Sequence, residues 1–240
     1  MALTPLQFII GLSSLILVII FIIVGITITL KYRKTKERMY IFFGITWIGV
    51  VEAYIAVSIS FVVALFNEVG LPEDIYFLIG ISFYPLTTLI WITAFTDIVF
   101  KDKQRIFQII FLIIGTIFEI VFLYLLFTPA FSVGKKLSPV DSEYGLIVSI
   151  YIFFSLAVIL STGLVIAVTS MRSDTPEIKN RGFFLLLALI TFVIGAAFDL
   201  FELNILLLTI IRLILVSSAF EFYIAFVMPR WARKLLIKEE

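Results

Sequence analysis

The fold class predicted is an all-α, polytopic membrane protein: a seven-helix transmembrane bundle with its N-terminus outside and its C-terminus cytoplasmic. Three observations predict it. The 240 residues are 62% hydrophobic and only 15% charged, with a mean hydropathy of +1.19. Soluble domains are nearer about 45–50% apolar and about 25% charged, so much of this apolar surface needs lipid as its solvent. Seven apolar runs are each long enough to cross a hydrocarbon core about 30 Å thick, which takes about 20 helical residues. Finally, Lys and Arg alternate between the segments that join these runs.

The spans fall at about 7–30, 40–66, 75–100, 106–127, 144–170, 182–202 and 205–228. Each is continuously apolar, whereas barrel strands would alternate over short segments. The first is too long for a signal peptide and lacks both a basic lead and a small-residue cleavage site. The segments after spans one, three, five and seven hold 15 Lys and Arg, against two on the opposite side, both in the 128–143 loop. That is the positive-inside pattern, and an odd number of spans satisfies it. Pro129 and Pro139 bracket the one sizeable outer loop. Trp231 sits beside Pro229 where an interfacial aromatic belongs. Pro85 falls inside span three and should kink it, freeing a backbone carbonyl.

One membrane domain accounts for residues 1–240, with 229–240 as a short basic cytoplasmic tail. The location expected is the cell membrane, multi-pass. The bilayer is the first partner. The basic inner loops would meet a cytoplasmic protein or anionic lipid heads. A net charge of +1 gives no field for nucleic acid.

The sequence contains no His and no Cys. Thiol catalysis, Cys/His zinc sites, His-ligated haem and a Ser-His-Asp triad are therefore excluded. No Lys lies within the expected spans, which excludes a retinal Schiff base. No Walker A or dinucleotide fingerprint is present. No cofactor is expected, and an enzyme is disfavoured.

The chemistry left is that of ionisable groups within the bilayer, which are expensive there and mark pathways or ligand sites. Arg212 is the one basic residue within a span. At about 1.5 Å per residue, Glu52 falls near mid-bilayer, and Glu119 and Arg212 lie roughly 10–12 Å below the outer surface. Depth makes Glu119 and Glu52 the matching partners of Arg212. Asp199 and Glu202, nearer the surface, are reachable if the guanidinium snorkels outward. Glu221 is half a helical turn out of phase with Arg212, so the two cannot pair. Asp97 suits an i,i+4 pair with Lys101.

The acids ride on stripes of small residues that suit close helix packing: Thr46, Gly49 and Ala56 around Glu52, Gly115 before Glu119, and Gly195 before Asp199. Two readings follow. A sensory or receptor-like protein would bind a small or lipidic ligand in the outer half of the bundle. Arg212, Glu119, Asp199 and Glu202 would hold it, with Tyr54, Tyr84 and Trp91 lining the pocket. A small proton- or cation-coupled carrier would instead use Glu52, Glu119 and Glu221 as stations across the membrane.

Spans one to three and five to seven would then run in the same direction, with span four as connector. In topology this resembles parallel-repeat carriers such as the SWEET family. "GVVEAY" in span two and "GAAFDL" in span six share a small-residue lead into an acid. The Pro-Gln motif of those carriers is absent, so no residue role carries over.

Overall fold

The computed structural model describes residues 3–128, 133–199 and 205–237, without the side chains of residues 205 and 206. The chain is an all-α bundle. Six helices are long and apolar enough to cross a membrane, and a bent pair makes a seventh span. Helix α1 is Pro5–Thr35; α2, Met39–Gly49, and α3, Glu52–Asn67, form the bent span; α4, Glu73–Ile81, and α5, Tyr84–Val99, form the third. Then come α6, Gln104–Phe127, α7, Leu146–Met171, α8, Pro176–Phe198, and α9, Ile205–Val227. The short basic tail contains a helix, α10, at Arg230–Leu236.

Local chemistry sets the starts and stops. Thr4 caps α1 by accepting from the Gln7 N–H, while the Gln7 side chain accepts from the Thr4 N–H. This reciprocal box, with Pro5 at the first helical position, satisfies donors that would otherwise be orphaned. Helix α1 ends at Lys36 in the left-handed region and so runs past its expected end at residue 30. Lys31 therefore belongs to a helix that crosses the bilayer, although the sequence places no Lys in any expected span. Its ammonium donates to the Phe226 carbonyl at 2.7 Å.

The second span is broken as well as the third, although only the Pro85 kink was expected. Helices α2 and α3 meet at 51°. The break follows Gly49 and falls on two β-branched valines, Val50 and Val51. A Cβ at Gly49 would overlap Thr87 Oγ1 and lie 3.0 Å from Thr87 Cβ, so the absent side chain admits α5 at the bend. In the third span, Pro85 lacks the N–H that would continue the ladder, and α4 stops at Ile81 before α5 begins at Tyr84. The break at Val50 and Val51 is buried in protein, which is the condition for irregular backbone at membrane depth, whereas the break before Pro85 leaves Phe83 exposed.

Helix α1 packs on α2, α3 and α9; α8 lies between α7 and α9; and α5 contacts α2, α6 and α7. The larger core is aromatic at its centre. The Trp47 ring stacks on Phe222 at 3.7 Å and on Phe21 at 5.1 Å. Trp91, expected to line a pocket, is fully buried in this core and donates its indole N–H to Thr162 Oγ1 at 2.7 Å. Where α1 crosses α2, a Cβ at Gly44 would overlap the Gly25 carbonyl oxygen, so glycine is required for the approach. Helix α6 is peripheral, with only 17% of its most apolar stretch buried.

Among the described residues, one element is not helical. The loop after α6 forms an antiparallel hairpin, β1 Gly134–Ser138 and β2 Asp141–Tyr144. It docks on the turn between α3 and α4. Ser60 Oγ donates to the Pro139 carbonyl at 2.5 Å, and Lys136 Nζ donates to the Val69 carbonyl at 3.1 Å and to the Leu71 carbonyl. Val133, just before β1, and Val140, in the turn, are buried.

Candidate functional site

The sequence-predicted acids separate into three places. The first lies where the two broken spans meet. Glu52 is the first residue of α3, so the N-terminal dipole of that half-helix favours its carboxylate. The residue is 2% exposed. Its Oε1 accepts from the Phe83 backbone N–H at 2.6 Å. Phe83 is the residue immediately before α5, so Glu52 satisfies a donor exposed by the break at Pro85. Two half-helix N-termini thus converge on one acid. Its Oε2 is buried and has no hydrogen-bonding partner among the described residues.

Glu119 of α6 belongs to the same place. It lines a cleft with Ser82 and Pro85, the residues that flank Phe83 and Tyr84, and its charge is felt at Glu52. Its Oε2 is likewise buried without a partner among the described residues. Tyr84 and Tyr144 also lie within electrostatic reach of Glu52. Tyr144, on the hairpin, sits in the second core with Tyr76, Phe77 and Tyr84. Burial there pushes its phenol well above the usual tyrosine value, so it stays a neutral hydroxyl. Ser142 donates to the Tyr76 hydroxyl at 3.3 Å.

The second place is an ion pair. Arg212 Nη2 lies 3.3 Å from Asp199 Oδ2, with both side chains almost fully buried. Of the partners expected for Arg212, the structure has Asp199, the one reached by snorkelling, and not the depth-matched Glu119 or Glu52. Asp199 is the residue that ends α8, and α9 packs along that helix, so the long arginine reaches its neighbour's end. The guanidinium also lies 4.6 Å from the centre of the Tyr54 ring, a cation–π contact. Tyr54 hydrogen-bonds Asp199 through its side chain. Nε and Nη1 of Arg212 and Oδ1 of Asp199 have no hydrogen-bonding partner among the described residues. Glu202 lies outside the described residues, as does Pro129.

The third place is Glu221, which accepts from Thr191 Oγ1 at 2.6 Å across the α8–α9 contact. It is joined to neither of the other two. Asp97 pairs with Arg38 at 3.6 Å rather than with Lys101, because the α2 start lies beside the end of α5. At the same basic end, Arg181 donates to the Phe226 carbonyl at 2.9 Å and bridges Glu177 at 2.8 Å.

Sequence reasoning missed Phe83, whose contribution is a backbone N–H. The only signal for it was Pro85, which marks where a helix ladder is interrupted. It also missed Thr191 and the hairpin hydroxyls, which carry no signal in a single sequence. No group of three or more potential metal ligands occurs among the described residues. The chain matches no protein-family model and no curated protein.

Proposed function

We propose that this chain is a small membrane carrier for a proton or another small cation, with Glu52 and Glu119 as its coupling site. One observation carries the reading: Glu52 is buried where two interrupted spans converge, with one oxygen held by Phe83 and the other without a partner among the described residues. Helices interrupted near the membrane midplane, with polar groups turned to the gap, are how secondary transporters build their ion sites. A second acid beside Glu52 makes full ionisation of both expensive in low dielectric, which a shared proton or cation relieves. Arrival of the cation on one side and its departure on the other would alternate with movement of the half-helices at the two breaks.

The test is flux into proteoliposomes. An imposed potassium diffusion potential should drive proton or sodium entry above that of empty vesicles. Glu52→Gln should reduce it at least tenfold, and Asp97→Asn should leave it intact. Flux in Glu52→Gln equal to wild type rejects the reading.

A receptor-like protein is the second reading, favoured by Nε and Nη1 of the buried Arg212 beside Tyr54, which lack partners among the described residues. An anionic ligand that raises the melting temperature of the wild type and not of Arg212→Lys would support it over the carrier.

A further inference from the structure

We infer that the cleft between α5 and α6 takes the head of a lipophilic cation (an apolar body bearing one positive charge) that reaches it from within the bilayer. The inference rests on the carrier reading and names the substrate class of that site. The cleft measures about 220 Å³. It opens on the lipid-facing side, since Leu86 and Leu112 on its walls are 50% and 55% exposed. Its floor is made where Gly115 meets Pro85; a Cβ at Gly115 would lie 3.0 Å from Pro85 Cβ.

The lining chooses the sign of the occupant. Glu119 is its one charged residue, and no basic residue lines it. Pro85 adds no N–H donor. An anion would meet an acid, the Ser82 and Thr116 side chains and hydrocarbon there, with no basic group to balance it, whereas a cation meets the Glu119 carboxylate. Glu119 lies eight residues from the end of α6, about 12 Å along the helix, so a strongly hydrated ion would have to shed its water to arrive by the lipid side. An amphipathic cation already partitions to that depth. The volume is below the roughly 300–1,000 Å³ of pockets that enclose a drug-sized ligand, which fits a bound head with the remainder left in lipid. The Glu119 charge also acts at Glu52, so a cation in the cleft would change the field at the coupling site.

The experiment is equilibrium binding of tetraphenylphosphonium to the protein in zwitterionic nanodiscs, with empty nanodiscs as the baseline. Saturable binding is expected, weakened at least tenfold in Glu119→Gln and also in Thr116→Trp. The second variant fills the cleft from its lipid-exposed wall without disturbing the core. Asp97→Asn should bind as wild type, and tetraphenylborate, of the same shape and opposite charge, should not compete. Absence of saturable binding overturns the inference, as does binding unchanged in both variants or equal binding of tetraphenylborate. Proton flux without phosphonium binding would remove this inference and leave the carrier. Phosphonium binding in a protein without flux would remove the carrier and leave the cleft as a cation site.

Discussion

Replacing Arg212 by Met removes one half of a buried ion pair and leaves Asp199 behind. Both partners are nearly excluded from solvent, at 8% and 12% exposure of their side chains. An uncompensated charge at such a site costs about 3–5 kcal/mol, because the desolvation penalty stays while the attraction is lost. Loss of the guanidinium from the face of Tyr54 adds up to about 2 kcal/mol. Two guanidinium nitrogens already lack partners among the described residues, which brings the expected total back to about 3–5 kcal/mol. For a chain of this size, that corresponds to a melting temperature roughly 6–20 °C lower. Asp199→Leu alone should cost a similar amount.

The double variant decides the matter. With both charges gone, Arg212→Met with Asp199→Leu should cost about 4–7 kcal/mol rather than the additive sum of about 6–10, a coupling of about 2–3 kcal/mol. Glu119→Leu combined with Arg212→Met should recover nothing, because Glu119 lies in the other cluster. The assay is thermal unfolding of the detergent-solubilised protein, followed by intrinsic fluorescence. Coupling of Arg212 and Asp199 below about 0.5 kcal/mol, or rescue by Glu119→Leu, would refute the geometry from which the magnitude was worked.

Three further outcomes are expected. Gly44→Val should prevent stable folding, read as loss of the monodisperse peak on size exclusion, because its Cβ would press on the Gly25 carbonyl and backbone cannot yield there as a side-chain tip can. Arg38→Gln should change stability by less than about 1 kcal/mol in the same melting assay, since the Arg38 side chain is 63% exposed in its pair with Asp97 and water screens it. Lys136 carries a pH dependence. Burial of Lys136 between the hairpin and the α3–α4 turn holds its ammonium below the usual 10.5, with Glu73 opposing in part. The unfolded chain therefore binds more protons than the folded one just below pH 10.5, and stability should rise with pH through that window. The rise should appear in the wild type minus Lys136→Met difference; a difference that is flat or falls as the pH climbs toward the usual lysine value contradicts the placement of Lys136.

The spans were legible because lipid imposes length and apolarity on every helix that crosses it, and a water-soluble fold seldom needs about 20 apolar residues in a row. The Pro85 break was legible for a similar reason, since the missing N–H is written in the residue itself. The break between Gly49 and Glu52 was not. Gly49, Val50 and Val51 all tolerate a helix, and the bend depends on Thr87 arriving from another span. The hairpin was hidden because its strands are short, and its stability comes from Ser60, Val69 and Leu71 at distant positions.

The charges show a sharper limit. Depth along a helix can be counted from sequence, and it placed Arg212 level with Glu119. Azimuth around the bundle cannot be counted in this way. Arg212 and Glu119 lie on helices separated by others, while Asp199 is at the end of the adjacent one. A long side chain covers a vertical mismatch of a turn or two; no side chain crosses an intervening helix. The same rule separates the two functional readings. Arg212 already has an acid for a partner, whereas Glu52 and Glu119 sit together at the Pro85 break, each with an oxygen that no donor among the described residues reaches. Asp199 thus has a basic partner, whereas no ion pair among the described residues joins Glu52, Glu119 or Glu221 to a basic group. On the carrier reading proposed above, the travelling ion binds at the acids that lack a basic partner.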